Sequence, residues 1–213
     1  MRLFLVNLGY VLLALNFILY ALRFFKHGRS FKVFTVYLLL IIGVQLTSYL
    51  YMKLYNNNLF LSHFYFIGQF IVLSLFYFTL VKDNFQKKAI SIAFVLVLLT
   101  LIIQYGIKPD LFFKFNLYEI FITSFLLIIY STFHFYNMLE EKKEFYYVNM
   151  GILLYLFGST ILFLVGNLTS KFSANFNQVT WTLNAAFYVV YQLLILYEWK
   201  VNFYKAKKIQ VIE

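Results

Sequence analysis

Seven long apolar runs alternate with short polar connections along this chain of 213 residues. Segments such as LLLIIGV and FVLVLLTLII are continuously apolar, without the alternation typical of a transmembrane barrel strand. A membrane-spanning helix needs about 20 mostly apolar residues. The pattern therefore predicts an all-α membrane protein, a seven-transmembrane helix bundle with spans at 3–22, 33–52, 61–81, 89–106, 117–138, 150–167 and 180–199.

The composition supports this prediction. Hydrophobic residues make up 63% of the chain and charged residues 12%, against about 25% charged residues in an ordinary soluble domain. A soluble fold of this size could not bury so much apolar surface. There is no cysteine, which excludes disulfides, thiolate metal sites and cysteine nucleophiles. Tyrosine and tryptophan near several span ends, Tyr105 among them, are typical of interfacial aromatic belts.

The distribution of positive charge predicts the orientation. The first, third and fifth loops and the C-terminal tail hold 13 Lys and Arg, and the N-terminus and the other loops hold 5. The positive-inside rule then places the N-terminus outside and the C-terminus inside. We expect a bundle over 1–199, a basic cytoplasmic tail over 200–213 and a multi-pass location in the cell membrane, specifically a bacterial inner membrane. The net charge of +10 is accounted for by orientation, so the lipid bilayer is the expected partner and nucleic acid is not.

The sequence lacks the residues that several classes of membrane protein need for their chemistry. Every lysine lies in a loop, at a span edge or in the tail, which disfavours a retinal Schiff base. The two histidines within spans, His63 and His134, fall near opposite ends of their helices, roughly 20 Å apart in depth. The single proline, Pro109, lies in a loop, which disfavours a transporter built on broken helices. We expect no metal, no cofactor and no catalytic set.

Two polar residues within the spans attract most interest. His63 and Glu119 each lie two residues past the start of a helix predicted to run from outside to inside. They should therefore lie at similar depth, where adjacency would give a charge-assisted pair or a site for a polar ligand head. The alternative is that both are wetted at the interface and never meet.

The last span carries a second signal. Trp181, Asn184, Tyr188, Tyr191 and Glu198 recur at steps that place them on one helical face. This face either lines a ligand site or supplies hydrogen bonds between helices. Combined with polar residues of other spans, the pattern predicts an outward-opening, ligand-binding crevice formed by Gln45, Tyr49, His63, Gln69, Glu119, Trp181, Asn184 and Tyr188.

The compact length, the very short loops, the predicted outward N-terminus and the tyrosine-rich last span WTLNAAFYVVYQLLILYEWK resemble the bacterial seven-helix membrane input modules, or sensors, associated with histidine kinases. The resemblance covers most of the chain and implies that the last helix transmits a signal to a cytoplasmic effector. Because the sequence stops at Glu213, we expect that effector to be a separate signalling protein.

These observations favour a receptor-like or regulatory membrane protein that senses a small or lipophilic ligand, or that docks a partner signalling protein. Two alternatives remain open. One is a small-solute transporter, and the other is a lipid-modifying membrane enzyme with His63 and Glu119 as its candidate pair. The scarcity of polar residues in the spans favours binding over catalysis.

Overall fold

The structure, a computed structural model, describes residues 1–55, 58–139, 143–169 and 174–204. Within these residues it is helical without strands, and seven α-helices are long and apolar enough to cross a membrane. The chain is therefore a multi-pass membrane protein by the length and composition of its helices. The helices are α1 (Arg2–Ala21), α2 (Arg29–Tyr55), α3 (Phe60–Leu80), α4 (Asn84–Ile107), α5 (Leu117–Asn137), α6 (Tyr146–Thr169) and α7 (Ala174–Glu198).

Short irregular helices join or extend these elements. A 3₁₀ turn at Phe24–Lys26 follows α1, and another at Pro109–Phe113 lies between α4 and α5. A π-helix over Trp199–Tyr204 continues α7. The predicted tail begins at residue 200, and its first residues, 200–204, belong to this π-helix. Residues 205–213 lie outside the described residues.

The seven predicted spans coincide with the seven helices, but the helices extend beyond several of them. The largest difference is α2, which has 27 residues against the 20 predicted at 33–52. Its extra turns contain Arg29, Lys32 and Lys53, whose long side chains carry the charge towards water while the backbone remains helical. Hydropathy locates the part of a helix that spans the lipid and not its last hydrogen bond.

Helices α4 and α5 each begin after a residue whose side chain caps the helix. Asp83 precedes α4, and its carboxylate accepts the Gln86 backbone N–H at 2.8 Å. Asn116 precedes α5, and its side-chain oxygen accepts the Glu119 backbone N–H at 3.3 Å. Such caps satisfy N–H groups that have no partner inside the helix. They therefore fix where α4 and α5 begin.

The helices form two compact units. The first comprises Met1–Arg23 and His134–Glu213, and the second comprises Phe24–Phe133. Accordingly α1, α6 and α7 belong to the first unit, and α2, α3 and α4 to the second. Helix α5 contributes its residues up to Phe133 to the second unit and the remainder to the first.

The first unit is built by α7 packing on α1 and α6. Glycines allow the close approach, because a Cβ built on Gly9, Gly151 or Gly158 would lie 2.7–2.8 Å from a ring carbon of α7. Small residues of this kind let membrane helices bring their backbones together. A buried hydrogen bond adds to the contact, as Asn16 Nδ2 donates to Gln192 Oε1 at 2.9 Å and to the Gln192 carbonyl at 2.8 Å.

The second unit packs α3 against both α2 and α4. Its covered interior is rich in aromatic and aliphatic side chains, including Phe31, Phe34, Tyr37, Leu38, Phe70, Leu73, Phe76 and Tyr77. Helix α4 instead exposes much of its apolar surface, at Val95, Leu96, Leu99, Ile102 and Ile103. A bilayer covers such a face, which is consistent with a membrane-spanning position.

Candidate functional site

The eight residues predicted to line a ligand crevice divide between the two units. Gln45, Tyr49, His63, Gln69 and Glu119 belong to the second unit. Trp181, Asn184 and Tyr188 belong to the first. A single crevice containing all eight remains a prediction. A candidate site that lies wholly within the second unit is built around two of the eight residues, His63 and Glu119.

His63 and Glu119 meet. His63 Nδ1 lies 3.2 Å from Glu119 Oε1 and 3.1 Å from Oε2. Both side chains are almost completely covered, with 2% and 0% of their surface exposed. Of the two arrangements left open by the sequence, adjacency is therefore the one observed, and the alternative of two separately wetted residues is wrong. A histidine and a carboxylate so placed form a charge-assisted pair whenever the imidazole is protonated.

Tyr105 completes the pair on the Nδ1 side. Its hydroxyl lies 2.8 Å from His63 Nδ1 and donates a hydrogen bond to Glu119 Oε2. Asn116 Nδ2 donates to the Tyr105 hydroxyl at 3.1 Å and to Gln104 Oε1 at 3.0 Å. The polar groups thus form a connected network whose members hold one another in place.

Helix ends explain why these residues converge. His63 lies in the first turn of α3, Glu119 in the first turn of α5 and Tyr105 in the last turn of α4. Because Asn116 caps α5, it fixes the position of Glu119 and also reaches Tyr105. A carboxylate in the first turn of a helix is further favoured by the helix dipole.

The other ring nitrogen of His63 has a different environment. His63 Nε2 is buried and has no hydrogen-bond partner among the described residues. His63 lines an open-sided groove of about 310 Å³, whose other lining residues are Leu40, Val44, Phe64, Ile67, Gly68, Ile71 and Phe112. The groove is thus apolar apart from one imidazole.

Phe112 covers the imidazole. Its ring stacks on that of His63 with centroids 5.4 Å apart and an angle of 24° between the planes. Phe112 belongs to the 3₁₀ turn at Pro109–Phe113, and it also meets Tyr105 edge-on at 6.2 Å. This turn therefore contributes Phe112 to the groove lining and packs directly on the polar residue of the groove.

The geometry fixes the imidazole and leaves Nε2 covered and without a hydrogen-bond partner among the described residues. Glu119 and Tyr105 hold Nδ1, so the ring cannot rotate without breaking their hydrogen bonds. Orientation of an imidazole by a carboxylate on one nitrogen is also how catalytic histidines are positioned. Here the lining of the groove supplies no second polar group that could act as a nucleophile or stabilise a developing charge.

The remaining predicted residues of the second unit lie elsewhere than in the groove lining. Gln69 is buried and donates to the Tyr37 hydroxyl at 3.4 Å, which ties α3 to α2. Gln45 is half-buried on α2. Tyr49 is 63% exposed.

The predicted stripe on α7 is buried over part of its length. Tyr188, Tyr191 and Glu198 are covered, whereas Asn184 is half-buried and Trp181 is 37% exposed. Glu198 accepts the Tyr147 backbone N–H at 2.7 Å. These contacts match the alternative of packing and hydrogen bonding between helices, and a ligand-binding role for this face remains a prediction.

Tyr105, Asn116 and Phe112 belong to the site but were not predicted to do so. A signal existed for Asn116, because an asparagine just before an apolar helix is a common cap. Tyr105 could not be told from the other aromatic residues at span ends. Phe112 is one of 28 phenylalanines, and its position depends on how the 3₁₀ turn folds back.

Within the described parts of the chain no three His, Cys, Asp or Glu side chains gather to hold a metal ion.

Comparison with known proteins adds no family to this description. No protein-family model, no curated protein and no solved structure matches the chain. The fold and the site define a multi-pass membrane protein in which a covered His63–Glu119 pair, contacted by the half-buried Tyr105, lies beside an apolar groove.

Proposed function

We propose that this protein is a receptor-like membrane protein that binds a lipophilic molecule in the groove beside His63. The observation that carries the proposal concerns His63 Nε2. This atom is buried, has no hydrogen-bond partner in the part of the chain that the structure describes, and belongs to a ring that lines an apolar groove. A buried polar atom without a partner costs free energy, and a ligand atom that bonds to it regains that cost. Predominantly apolar pockets with a few fixed polar groups are typical of small-molecule sites.

The 3₁₀ turn at Pro109–Phe113 is the element through which binding would be transmitted. Because Phe112 both lines the groove and stacks on His63, an occupant shifts the balance between packing arrangements of this turn. A ligand changes such an equilibrium by its difference in affinity for the two arrangements. A separate signalling protein, docked on the positively charged loops, would respond to the change.

The proposed setting is a bacterial inner membrane with the N-terminus outside. In that orientation the starts of α3 and α5 lie at the outer side, and the groove receives its ligand from the outer leaflet. The uneven distribution of Lys and Arg supports this orientation.

A lipid-modifying enzyme is the second candidate, because the Glu119–His63 contact resembles an oriented general base. The apolar lining favours binding over this reaction. Small-solute transport would need a polar path across the membrane, but two of the buried polar side chains, Asn16 and Gln192, bond to each other.

Filling the groove tests the proposal. Val44 lines the groove on α2, whereas Leu46 on the same helix is 59% exposed. We expect native mass spectrometry of the full chain, released gently from membranes, to detect a retained lipophilic molecule. Val44→Trp should lose it because the indole occupies the groove, and Leu46→Trp should keep it. Equal retention in both variants would contradict the proposal.

A further inference from the structure

The proton count of the His63 cluster restricts the chemistry of the ligand. Two side chains in it can each either carry or lack a hydrogen on the facing atom, the Glu119 carboxyl and the His63 imidazole. Their contact at 3.1–3.2 Å allows one proton to lie between them. The state of Nε2 follows from how many protons the pair holds.

Two arrangements with a single hydrogen between Nδ1 and Glu119 have no net charge. In one, a protonated imidazole faces a carboxylate, and both ring nitrogens carry hydrogen. In the other, the Glu119 carboxylic acid donates to Nδ1 of a neutral imidazole, whose single hydrogen is then on Nε2. In both arrangements His63 Nε2 carries an N–H and is a hydrogen-bond donor. A second hydrogen between Nδ1 and Glu119, with Nδ1 and the carboxyl both protonated, is disfavoured because the acid hydrogen would face Nδ1–H or the Tyr105 hydroxyl hydrogen.

Nε2 becomes an acceptor in a third arrangement, where Nδ1–H of a neutral imidazole faces a carboxylate. The pair then has a net negative charge, although both side chains are nearly completely covered. An uncompensated charge buried in apolar surroundings is costly. Among the described residues, the ion-pair partner of Glu119 is His63 itself, so no lysine or arginine offsets that charge.

The surroundings of the groove decide between the ligand groups that accept from an N–H. A carboxylate on the ligand would place an uncompensated negative charge beside a pair that has no net charge. A hydroxyl would accept from Nε2, but its own O–H would face Leu40, Val44, Ile67 and other apolar side chains that offer no acceptor. A neutral carbonyl accepts the bond and leaves no donor without a partner.

We infer that His63 presents an N–H to the groove and that the ligand is an apolar molecule with a neutral carbonyl group, such as a long-chain ketone, an ester or a quinone. This inference rests on the proposed function, since it specifies the ligand of the same groove. It extends that function from a lipophilic ligand in general to one hydrogen-bond pattern.

Nitrogen-15 NMR of the full chain in lipid nanodiscs tests the first half. The chain has three histidines, and the His63 signals are those missing from His63→Phe. We expect His63 Nε2 to show one-bond coupling to hydrogen. An Nε2 without attached hydrogen would overturn the inference. If His63→Phe does not fold, His27→Gln and His134→Gln identify the signals of the other two histidines, and the remaining signals are those of His63.

Three probes with the same carbon chain test the second half: a tridecanone, the corresponding tridecanol and tridecane. We expect the ketone to bind the nanodisc-embedded protein about 5- to 100-fold more tightly than the alkane, with the alcohol in between. The carbonyl stretching band of the bound ketone should move to lower wavenumber. The His63→Phe variant should bind ketone and alkane equally tightly, since it keeps an aromatic ring at this position but removes both nitrogens.

Val44→Trp and Leu46→Trp separate this inference from the proposed function. Loss of ketone binding in Val44→Trp, with binding kept in Leu46→Trp, places the probe in the groove. If all three probes bind the natural chain equally and are lost in Val44→Trp, the groove is a binding site but the inference about the carbonyl is overturned. If no probe binds and no molecule is retained on purification, the proposed function itself fails.

Discussion

At the scale of single residues, a membrane helix cannot leave a polar side chain to be satisfied by bulk water. Several buried polar atoms of the described residues nevertheless lack a partner, including Asn16 Oδ1, Ser74 Oγ and His63 Nε2. A serine hydroxyl can turn back to its own helix backbone, and Asn16 is held through its amide nitrogen. His63 differs because Glu119 and Tyr105 fix its ring, so Nε2 cannot turn elsewhere.

The Tyr105 hydroxyl should contribute to the free energy of unfolding, because it contacts His63, Glu119 and Asn116. Tyr105→Phe removes one oxygen and leaves buried groups with one bond fewer. We expect the free energy of unfolding to fall by about 1–3 kcal/mol. The His63 nitrogen-15 signals should shift as well, since Nδ1 loses a neighbour.

Tyr118→Phe is the matched control for Tyr105→Phe. Tyr118 lies on α5, beside Glu119 in the sequence, and is 47% exposed. Its substitution should change the free energy of unfolding by less than about 0.5 kcal/mol, as is usual for exposed positions. Similar losses in the two variants would argue against a special role for the Tyr105 hydroxyl.

At the scale of helices, the approach of α6 to α7 depends on the absence of a side chain at Gly151. A Cβ there would lie 2.7 Å from Tyr191 Cδ2 and 3.3 Å from Leu194 Cβ. Tyr191 cannot move aside easily, because it is 1% exposed and stacks on Tyr155 at 5.5 Å. Contacts this close force the helices apart.

Gly151→Ala should therefore lower the thermal stability of the first unit, and Gly43→Ala provides the control. Both substitutions gain about 1 kcal/mol of helix propensity. A Cβ at Gly43 would meet nothing within 4 Å, so Gly43→Ala should be neutral or stabilising. At Gly151, overpacking costs about 1–3 kcal/mol and should outweigh the gain. A stabilised Gly151→Ala would show that α6 and α7 separate without cost.

A buried carboxylate connects α7 with the start of α6. Glu198 is completely covered and accepts backbone N–H groups at that start, including Tyr147 N–H at 2.7 Å. Its charge also complements the positive end of the α6 dipole. Hydrogen bonds to a charged group contribute about 1.5–3 kcal/mol.

Glu198→Gln should accordingly lower the free energy of unfolding by about 1–3 kcal/mol, measured by denaturation in a fixed detergent. Glu144→Gln makes the same chemical change at an exposed position just before α6 and should have little effect. A neutral outcome at Glu198 would mean that the amide oxygen serves α6 as well as the carboxylate does.

The helices were predictable because apolar runs of about 20 residues are typical of membrane-spanning helices. Their ends were less so, since Arg29 and Lys53 are helical although charged. The pairing of His63 with Glu119 could be anticipated from two polar residues at equal distance from two helix starts. The contributions of Tyr105 and Phe112 could not, because aromatic residues are common throughout the chain and their contacts depend on helix rotation and on the path of a short turn.

At the scale of the whole molecule, orientation decides from which side the groove is reached. The prediction rests on 13 positive residues on one face against 5 on the other, all in short segments, where the positive-inside rule is strongest. His63 lies in the first turn of α3, shortly after Asn58. The side on which Asn58 lies is therefore the side of the membrane nearer to the His63 cluster.

Reporter fusions should place Asn58 outside, and Asp83 and Glu213 inside. Alkaline phosphatase becomes active outside the inner membrane, and green fluorescent protein fluoresces inside, so the two reporters should give opposite results at each point. Replacing Lys82, Lys87 and Lys88 with Gln should weaken this preference, since it removes positive charge from the predicted inner side. An active phosphatase at Asp83 and a fluorescent fusion at Asn58 would show that the topology is the inverse of the predicted one. The His63 groove would then receive its ligand from the cytoplasmic leaflet.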